Sequence, residues 1–326
     1  MKKILNDPNQ AVNDMLKGFT AAFPEEVTQL PETTVITKKD APIKDKVGIV
    51  SGGGSGHEPA HAGYVGKGML DAAVAGEVFT SPTPDQVLEA IKAVDAGKGV
   101  LLVIKNYSGD VINFDMAAEM AEAEGIEVES VIVKDDVAIE NVEDRRGIAG
   151  TIFVHKVAGA KAEEGASLQE VKAAAEKTIT NVRSMGMALD SCTVPAAGTP
   201  SFELKENEME IGIGIHGEPG LERKEIATAD AIATELLETI LKDMDFADDV
   251  AVMVNGMGST PEMELFIVNK TVQAILADKN IHPHQTFVGE YMTALEMTGC
   301  SITVLKLDEE LKKLLDAPSS APAFRK

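Results

Sequence analysis

The sequence has few aromatic residues, few cysteines and no long apolar run. Of its 326 residues, 4% are aromatic, none is tryptophan and two are cysteine. Cys192 and Cys300 cannot form a disulfide framework and are not spaced for a zinc site, which favours a reducing compartment. No segment approaches the ~18 apolar residues of a membrane span, and the first residues lack the apolar stretch of a signal peptide. We therefore expect a cytoplasmic protein with no membrane partner.

Basic residues are also scarce. The chain has 30 Lys and Arg against 53 Asp and Glu, a formal charge of −23. This charge repels phosphate backbones and anionic lipid surfaces, so we expect no nucleic-acid partner. Acidic composition is also common in soluble enzymes, where it serves solubility alone.

No phosphate-binding loop of the type G-x-x-x-x-G-K-[ST] occurs, nor the motif pair of protein kinases. The sequence therefore predicts no nucleotide site in this chain. In a phosphoryl-transfer reaction, the donor and its metal ions would have to come from another polypeptide.

Short β-branched runs alternate with helical patterns along the chain. The predicted strands are Val47–Val50, Asp71–Ala75, Val100–Ile104, Val128–Val133, Ile211–Ile215, Val250–Val254 and Ile302–Leu305. The predicted helices are Pro84–Ala96, Phe114–Glu124, Leu168–Met185, Ala229–Met244 and Pro261–Ala277. This order predicts a two-domain α/β protein, each domain with a mostly parallel or mixed sheet flanked by helices. Proline, glycine and polar residues accumulate over 187–207, so we divide the chain into 1–186 and 187–326.

Ligands of such sheets typically lie beyond the carboxyl ends of the strands, so the loops there are the candidate sites. The first is the glycine-rich segment 51–59, where Gly54, Ser55 and Gly56 precede His57. Glycines let backbone N–H groups approach an oxygen-rich ligand, and Pro59 suits the first turn of a following helix. The alternative interpretation is a tight turn from strand to helix.

His57 and His61 match the zinc motif H-E-x-x-H. That motif needs a helix through both histidines, whereas glycines precede His57 and Pro59 cannot donate its N–H within a helix. We therefore predict no metal site here.

Two further loops carry reactive side chains. Lys105 ends a predicted strand and Asp110 follows in the adjoining loop, positions that suit a hydrogen-bond donor and a general base. Asp110 could instead cap the next helix. His216 lies between glycines at the end of a predicted strand, where a neutral imidazole is both nucleophile and base. An isolated histidine is more often structural.

The remaining candidates are weaker. Residues 255–261 repeat the order of strand, glycine-rich turn and helix, which could cap a helix or line a site. His155, His282 and His284 have no comparable setting, and we place them on the surface of helices or loops.

Together, these segments resemble the dihydroxyacetone kinase family over nearly the whole chain. The similarity is greatest to the dihydroxyacetone-binding K subunit of the bacterial phosphotransferase-dependent enzymes. The segments that carry the resemblance are Ser51–Gly63, Gly76–Pro84, Lys105–Asp110, Gly214–Gly220 and Asn255–Gly258.

The resemblance implies a covalent mechanism. The histidine of the I-H-G-E-P-G segment, here His216, would bind the carbonyl carbon of dihydroxyacetone as a hemiaminal. Backbone contacts and a second histidine would come from Gly54, Ser55, Gly56 and His57. Lys105 and Asp110 would contact the ligand, orienting and activating its hydroxyl, with His57 assisting Asp110.

The resemblance also implies partners. These are a homodimer of the chain, a separate L subunit that carries ADP and magnesium, and an M subunit that recharges L through the phosphotransferase system. No cofactor is expected in this chain itself. A different class of function is a non-catalytic paralogue that binds dihydroxyacetone and then engages a transcription regulator. The segment 139–147 is shorter than the matching loop of typical K subunits, so docking of L could differ.

Overall fold

The computed structural model describes residues 2–246 and 249–326. Two six-stranded sheets are stacked with helices on both faces of each, which confirms the predicted α/β class with two mixed sheets. The order of layers is helices, first sheet, helices, second sheet, helices.

The strands and helices are numbered in chain order. The strands are β1 Val27–Gln29, β2 Val35–Lys38, β3 Gly48–Ser55, β4 Ala72–Val78, β5 Val100–Lys105, β6 Val128–Val133, β7 Val182–Ala188, β8 Glu208–Ile211, β9 Glu222–Glu225, β10 Asp249–Gly256, β11 His282–Gly289 and β12 Gly299–Lys306. The helices are α1 Ala11–Ala22, α2 Pro84–Val94, α3 Ser108–Ala123, α4 Thr151–Glu163, α5 Leu168–Asn181, α6 Ala229–Asp243, α7 Glu262–Asp278 and α8 Glu309–Asp316. A short hairpin, Ser320–Ala321 with Phe324–Arg325, follows α8.

The first sheet has the strand order β1-β2-β4-β3-β5-β6. Its four strands from β4 to β6 are parallel, and the first two strands extend it antiparallel. Side chains alternate across β5: Leu102 and Ile104 pack against α2 and α3, while Leu101 and Val103 face the central layer of helices. Both faces are covered, as parallel sheets require.

The second sheet has the order β11-β10-β12-β7-β8-β9. Only β10 and β11 are parallel, and every other neighbouring pair is antiparallel. One face packs against α6 and α7 and the other against the central layer. The central core contains side chains from both sheets, among them Val103 of β5 and Met253 of β10, so the two sheets share one apolar core.

The structure adds elements that the sequence patterns did not predict. Helix α4 was missed because it is buried all round, so it lacks the apolar stripe that marks a surface helix. Helices α1 and α8 and the strands β1, β2, β9 and β11 were also missed; all of these are short or half exposed.

Two predicted elements were wrong in detail. The helix predicted over 168–185 ends at Asn181, and β7 begins at the next residue to pair with β12 inside the second sheet. The strand predicted over Ile211–Ile215 is instead β8, which ends at Ile211 because Gly212 has a φ of 77°. The chain thus enters the second sheet at residue 182, and a domain boundary at 187 stays a prediction.

In the described parts of the chain, no helix is long and apolar enough to cross a bilayer.

The packing of α4 provides a test of the fold. A side-chain carbon added to Gly159 would lie 2.4 Å from the backbone oxygen of Met69, whereas nothing lies within 4 Å of one added to Gly18 of α1. We expect Gly159→Ala to lower the free energy of unfolding by about 1–3 kcal/mol through overpacking. The matched change Gly18→Ala should raise it by up to about 1 kcal/mol, because alanine is the better helix former. Urea unfolding followed by circular dichroism measures both, and equal effects would contradict the packing described here.

Candidate active site

The site forms where the first sheet meets a loop of the second. His57 follows the end of β3, and His216 lies in the loop after β8. Their Nε2 atoms are 3.0 Å apart. His57 is fully buried, while the His216 side chain keeps 18% of its surface exposed. The structure therefore brings together two histidines that are 159 residues apart in sequence.

Each histidine is oriented by an acceptor on its other nitrogen. His57 Nδ1 lies 2.7 Å from the carbonyl oxygen of Thr293, and His216 Nδ1 lies 2.8 Å from Oε1 of Glu218. Burial raises the pKa of Glu218, but the hydrogen bond and charge of His216 outweigh it and lower the pKa to about 2. The carboxylate is therefore ionised near neutral pH, so His216 Nδ1 carries a proton and donates it to Glu218.

These acceptors fix the number of protons on the pair. Both Nδ1 atoms are donors, so two neutral rings would place two Nε2 lone pairs face to face. A hydrogen bond between the Nε2 atoms requires one further proton between them. Burial, followed by the charges of His216 and Lys105, lowers the pKa of His57 well below its ordinary value. Removal of the proton between the two Nε2 atoms exposes a nitrogen nucleophile.

The acceptor for His57 is itself held in place. Asn255, the next-to-last residue of β10, accepts hydrogen bonds from the backbone N–H groups of Tyr291 and Met292, and it donates to the carbonyl of Met292. These bonds fix the segment that presents the Thr293 carbonyl. Asn255 is the first residue of the segment 255–261, whose role the sequence left open, and α7 begins at Glu262, one residue after the predicted start.

Two aromatic rings enclose His216. Phe79 stacks on His57 at 5.1 Å between centroids and meets His216 edge to face, also at 5.1 Å. Tyr107 meets His216 at 4.6 Å with an interplanar angle of 87°. Such rings limit the rotation of the imidazole. Both residues lie in segments that carry the family resemblance, but the sequence analysis assigned neither a role.

Lys105 and Asp110 form a buried ion pair beside the histidines. Lys105 is the last residue of β5, as predicted, and is fully buried. Its Nζ atom is 3.4 Å from Oδ2 of Asp110, while Oδ1 of Asp110 has no partner. Asp110 lies in the first turn of α3 rather than in a loop, because this helix begins at Ser108, six residues before the predicted start. It does not cap the helix, since its carboxylate turns to Lys105.

The glycine-rich segment differs from the prediction. Gly54 and Ser55 belong to β3, which continues to Ser55 and pairs with β4. The strand needs glycine there: a side-chain carbon on Gly53 would lie 2.4 Å from Lys105 Nζ, and one on Gly54 2.6 Å from the backbone nitrogen of Thr80. The glycines thus leave room for neighbouring protein atoms as well as for a ligand.

After the strand, the chain turns instead of starting a helix at Pro59. The peptide bonds 58–59 and 60–61 are cis, and a short 3-10 helix follows at Ala62–Tyr64. Gly56 has a φ of 103° and donates its N–H to the Glu58 carboxylate, while Ser55 Oγ donates to the carbonyl of Gly76. The expected helix N-terminus at this segment was therefore wrong.

The H-E-x-x-H segment has no helical geometry. His57 points to His216, whereas His61 points to the other side of β3, towards Ser51 and His155. Within residues 2–246 and 249–326, no three His, Cys, Asp or Glu side chains are grouped to hold a metal ion.

The placement of His155 on the surface was wrong. It lies in α4 and is fully buried, because this helix has no exposed face in the central layer. His282 and His284 are exposed, but on β11 rather than on a helix or loop.

The segment 139–147 borders the site through Asn106. The amide of Asn106 donates to the carbonyls of Glu143 and Arg145, and Arg145 forms an ion pair with Asp243 of α6. This segment therefore links the loop after β5 to the second sheet.

Comparison with known proteins relates this geometry to a family. A family model described as the Dak1 domain matches residues 17–323. A Listeria innocua protein named PTS-dependent dihydroxyacetone kinase 1, dihydroxyacetone-binding subunit DhaK, is 52% identical over 315 residues, which cover 95% of each chain. The PEP-dependent counterpart of Escherichia coli K12 is 41% identical over 99% of each chain.

Solved structures agree with the sequence relatives. The dihydroxyacetone kinase of C. freundii in complex with AMP-PNP and Mg²⁺ has a TM-score of 0.94 and 36% identity, covering 99% of this chain and 61% of that one. A dihydroxyacetone kinase operon co-activator, Dha-DhaQ, has a TM-score of 0.90 and 36% identity over 98% of this chain and 99% of that one. The chain belongs to the dihydroxyacetone kinase family.

Proposed function

We propose that this chain is the dihydroxyacetone-binding subunit of a dihydroxyacetone kinase, and that it captures its substrate covalently on His216. The full-length relatives carry this name. The observation that carries the proposal is the 3.0 Å contact between His57 and His216, with Glu218 and Thr293 on the outer nitrogens. Because both Nδ1 atoms are occupied, the Nε2 atoms are the nitrogens left to react with an incoming carbonyl, and the contact between them supplies one proton.

The atoms and charges of the capture step balance without a further reactant. His216 Nε2 forms a bond to the carbonyl carbon, the C=O π bond breaks, and the carbonyl oxygen takes the bridging proton through His57 to become a hydroxyl. The alkylated ring is an imidazolium whose Nδ1 proton still faces Glu218, so the site keeps its net charge. Glycerol has no carbonyl and is excluded by chemistry rather than by shape.

Phosphoryl transfer uses the neighbouring ion pair. Once dihydroxyacetone is tethered, its terminal hydroxyl is held for in-line attack, which reduces the entropy cost of the reaction. We assign Asp110 as the acceptor of the hydroxyl proton, because its Oδ1 atom is unpartnered, with assistance from His57. Lys105, together with the backbone of Gly54, Ser55 and Gly56, orients the substrate.

The phosphate comes from a partner in this proposal. A separate L subunit carries ADP and magnesium, which supply the phosphoryl group and neutralise its charge, and an M subunit of the phosphotransferase system recharges L. The exposed face of α3 begins next to Asp110 and carries the apolar residues Ile112, Met116 and Met120. A contiguous apolar surface beside the site suits a docking partner.

A second candidate function is a ligand-dependent co-activator of a transcription regulator. It is favoured by the structural similarity to the co-activator Dha-DhaQ over nearly the full length of both chains. A co-activator needs the capture step but not the phosphoryl-transfer step, so the two candidates differ in whether Asp110 is needed for function.

We also propose that the chain forms a homodimer, which sedimentation equilibrium would test.

Covalent capture should depend on His216. With dihydroxyacetone labelled with carbon-13 at the carbonyl, we expect the protein to convert the ketone signal to that of a tetrahedral carbon, with one adduct per chain in native mass spectrometry. His216→Ala should abolish both signals. His284→Ala, an exposed histidine of β11, is the matched control and should behave as wild type. An adduct that persists in His216→Ala would place the nucleophile elsewhere.

Capture should also depend on the tautomer of His216. In Glu218→Gln the amide can donate to Nδ1, which moves the ring proton to Nε2 and blocks the nucleophile. We expect the rate of adduct formation to fall at least about tenfold, in line with other enzymes in which an orienting carboxylate is replaced by its amide. The decay of the ketone signal measures this rate. An unchanged rate would show that Glu218 does not set the tautomer.

The effect of replacing Asp110 distinguishes the kinase from the co-activator. With the L and M subunits and phosphoenolpyruvate, wild type should form dihydroxyacetone phosphate. Asp110→Asn should keep the adduct but lose about 10²–10⁴-fold in kcat, the usual contribution of a general base. Asp115→Asn, one turn further along α3, is the control. Wild-type capture without any turnover would favour the co-activator.

A further inference from the structure

A second buried histidine lies behind the ion pair. His61 is buried, and its Nε2 atom has no hydrogen-bond partner. A carbon added to Gly53 would lie 2.4 Å from Lys105 Nζ, 3.4 Å from Asp110 Oδ2 and 3.6 Å from His61 Nε2. The three polar atoms therefore lie around one point, although His61 Nε2 forms no hydrogen bond with either member of the ion pair.

The tautomer of His61 follows from the group on its other nitrogen. Ser51 Oγ donates its proton to the carbonyl of Val103 at 2.7 Å, so towards His61 it can only accept. His61 Nδ1 lies 3.5 Å from this oxygen. A proton on Nδ1 leaves Nε2 with an unpartnered lone pair near the ammonium of Lys105. Burial, then the charges of Lys105, His155 and His57, lower the pKa of His61 well below its ordinary value, so the ring is neutral.

Lys105 needs a second acceptor. Its ammonium is fully buried, and among the residues that the structure describes its one hydrogen-bond partner is Asp110 Oδ2, at 3.4 Å. In the proposed reaction Asp110 takes the hydroxyl proton, which neutralises its carboxylate and removes most of its attraction for Lys105. A buried cation left without an acceptor is costly, so the lysine would leave its place at the moment when it must orient the substrate.

We propose that His61 is a positioning residue for Lys105, holding the ammonium through its Nε2 lone pair while Asp110 is protonated. The inference rests on the proposed function, since it assigns His61 to the phosphoryl-transfer step. It separates the tasks of two buried histidines: His57 shares a proton with the nucleophile, whereas His61 accepts from the lysine.

The first test needs no substrate. In the full chain labelled with nitrogen-15 histidine, the ring-nitrogen shifts of His61, identified by comparison with His61→Gln, should show a protonated Nδ1 and an unprotonated Nε2. In Ser51→Ala this preference should weaken. A proton on Nε2 in the wild type would overturn the inference, whatever the chain does with dihydroxyacetone.

The second test compares three variants during turnover with the L and M subunits. His61→Leu keeps the volume but removes the acceptor, so kcat should fall about tenfold while adduct formation changes less than about twofold. His61→Gln can place its amide oxygen near the position of Nε2 and should recover most of kcat. His155→Leu is the matched control, because this histidine is equally buried, lies 5.3 Å from His61 between ring centroids, and has no hydrogen bond on either nitrogen.

The outcomes are distinguishable. The inference would be overturned by an unchanged kcat in His61→Leu, or by equal losses of kcat in the leucine and glutamine variants of His61. An equal loss in His155→Leu would also overturn it, because the loss would then come from altered packing. Absence of the adduct in wild type would instead overturn the proposed function. In that case the tautomer measurement alone decides the state of His61.

Discussion

The hydrogen bond between His57 and His216 is the interaction on which the site depends, because it joins the segment after β3 of the first sheet to the loop after β8 of the second. Each ring follows a strand of a different sheet, and each is oriented by an acceptor: Thr293 for His57, and Glu218 of the same loop for His216. A movement of either sheet by an ångström would break this bond. The common apolar core is thus part of the chemistry, since it fixes the two nitrogens within bonding distance.

The buried Lys105 imposes a second constraint. An ammonium with no exposed surface must be surrounded by acceptors and must find space among close-packed strands. β3 provides the space, since a side chain at Gly53 would collide with the lysine. The ion pair therefore requires glycine in the adjacent strand. The glycines of β3 make room for Lys105 of β5 as much as for any ligand.

Much of this was predictable from the sequence. Lys105 and His216 stood out because glycines and strand ends frame them, and the alternating runs predicted both sheets. Helix α4 did not stand out, because a helix buried on every side has no periodic contrast with solvent. Thr293 acts through its backbone carbonyl, so its residue type gave no signal. Asn255 holds a backbone segment in place, and the only signal for it was the glycine-rich turn in which it was noted. His155 was misplaced for the same reason as α4.

The three buried histidines show why residue type alone cannot assign a role. His57, His61 and His155 share the same burial, and burial lowers the pKa of each. They differ in what their nitrogens contact: a carbonyl and a second imidazole for His57, a serine hydroxyl on one nitrogen alone for His61, and no polar partner for His155. A neutral imidazole can donate on one side and accept on the other, so its neighbours decide whether it moves a proton, holds a cation or only fills space. In this fold the segment after β3 carries both His57 and His61, and it presents the first to His216 and the second to Ser51 and His155.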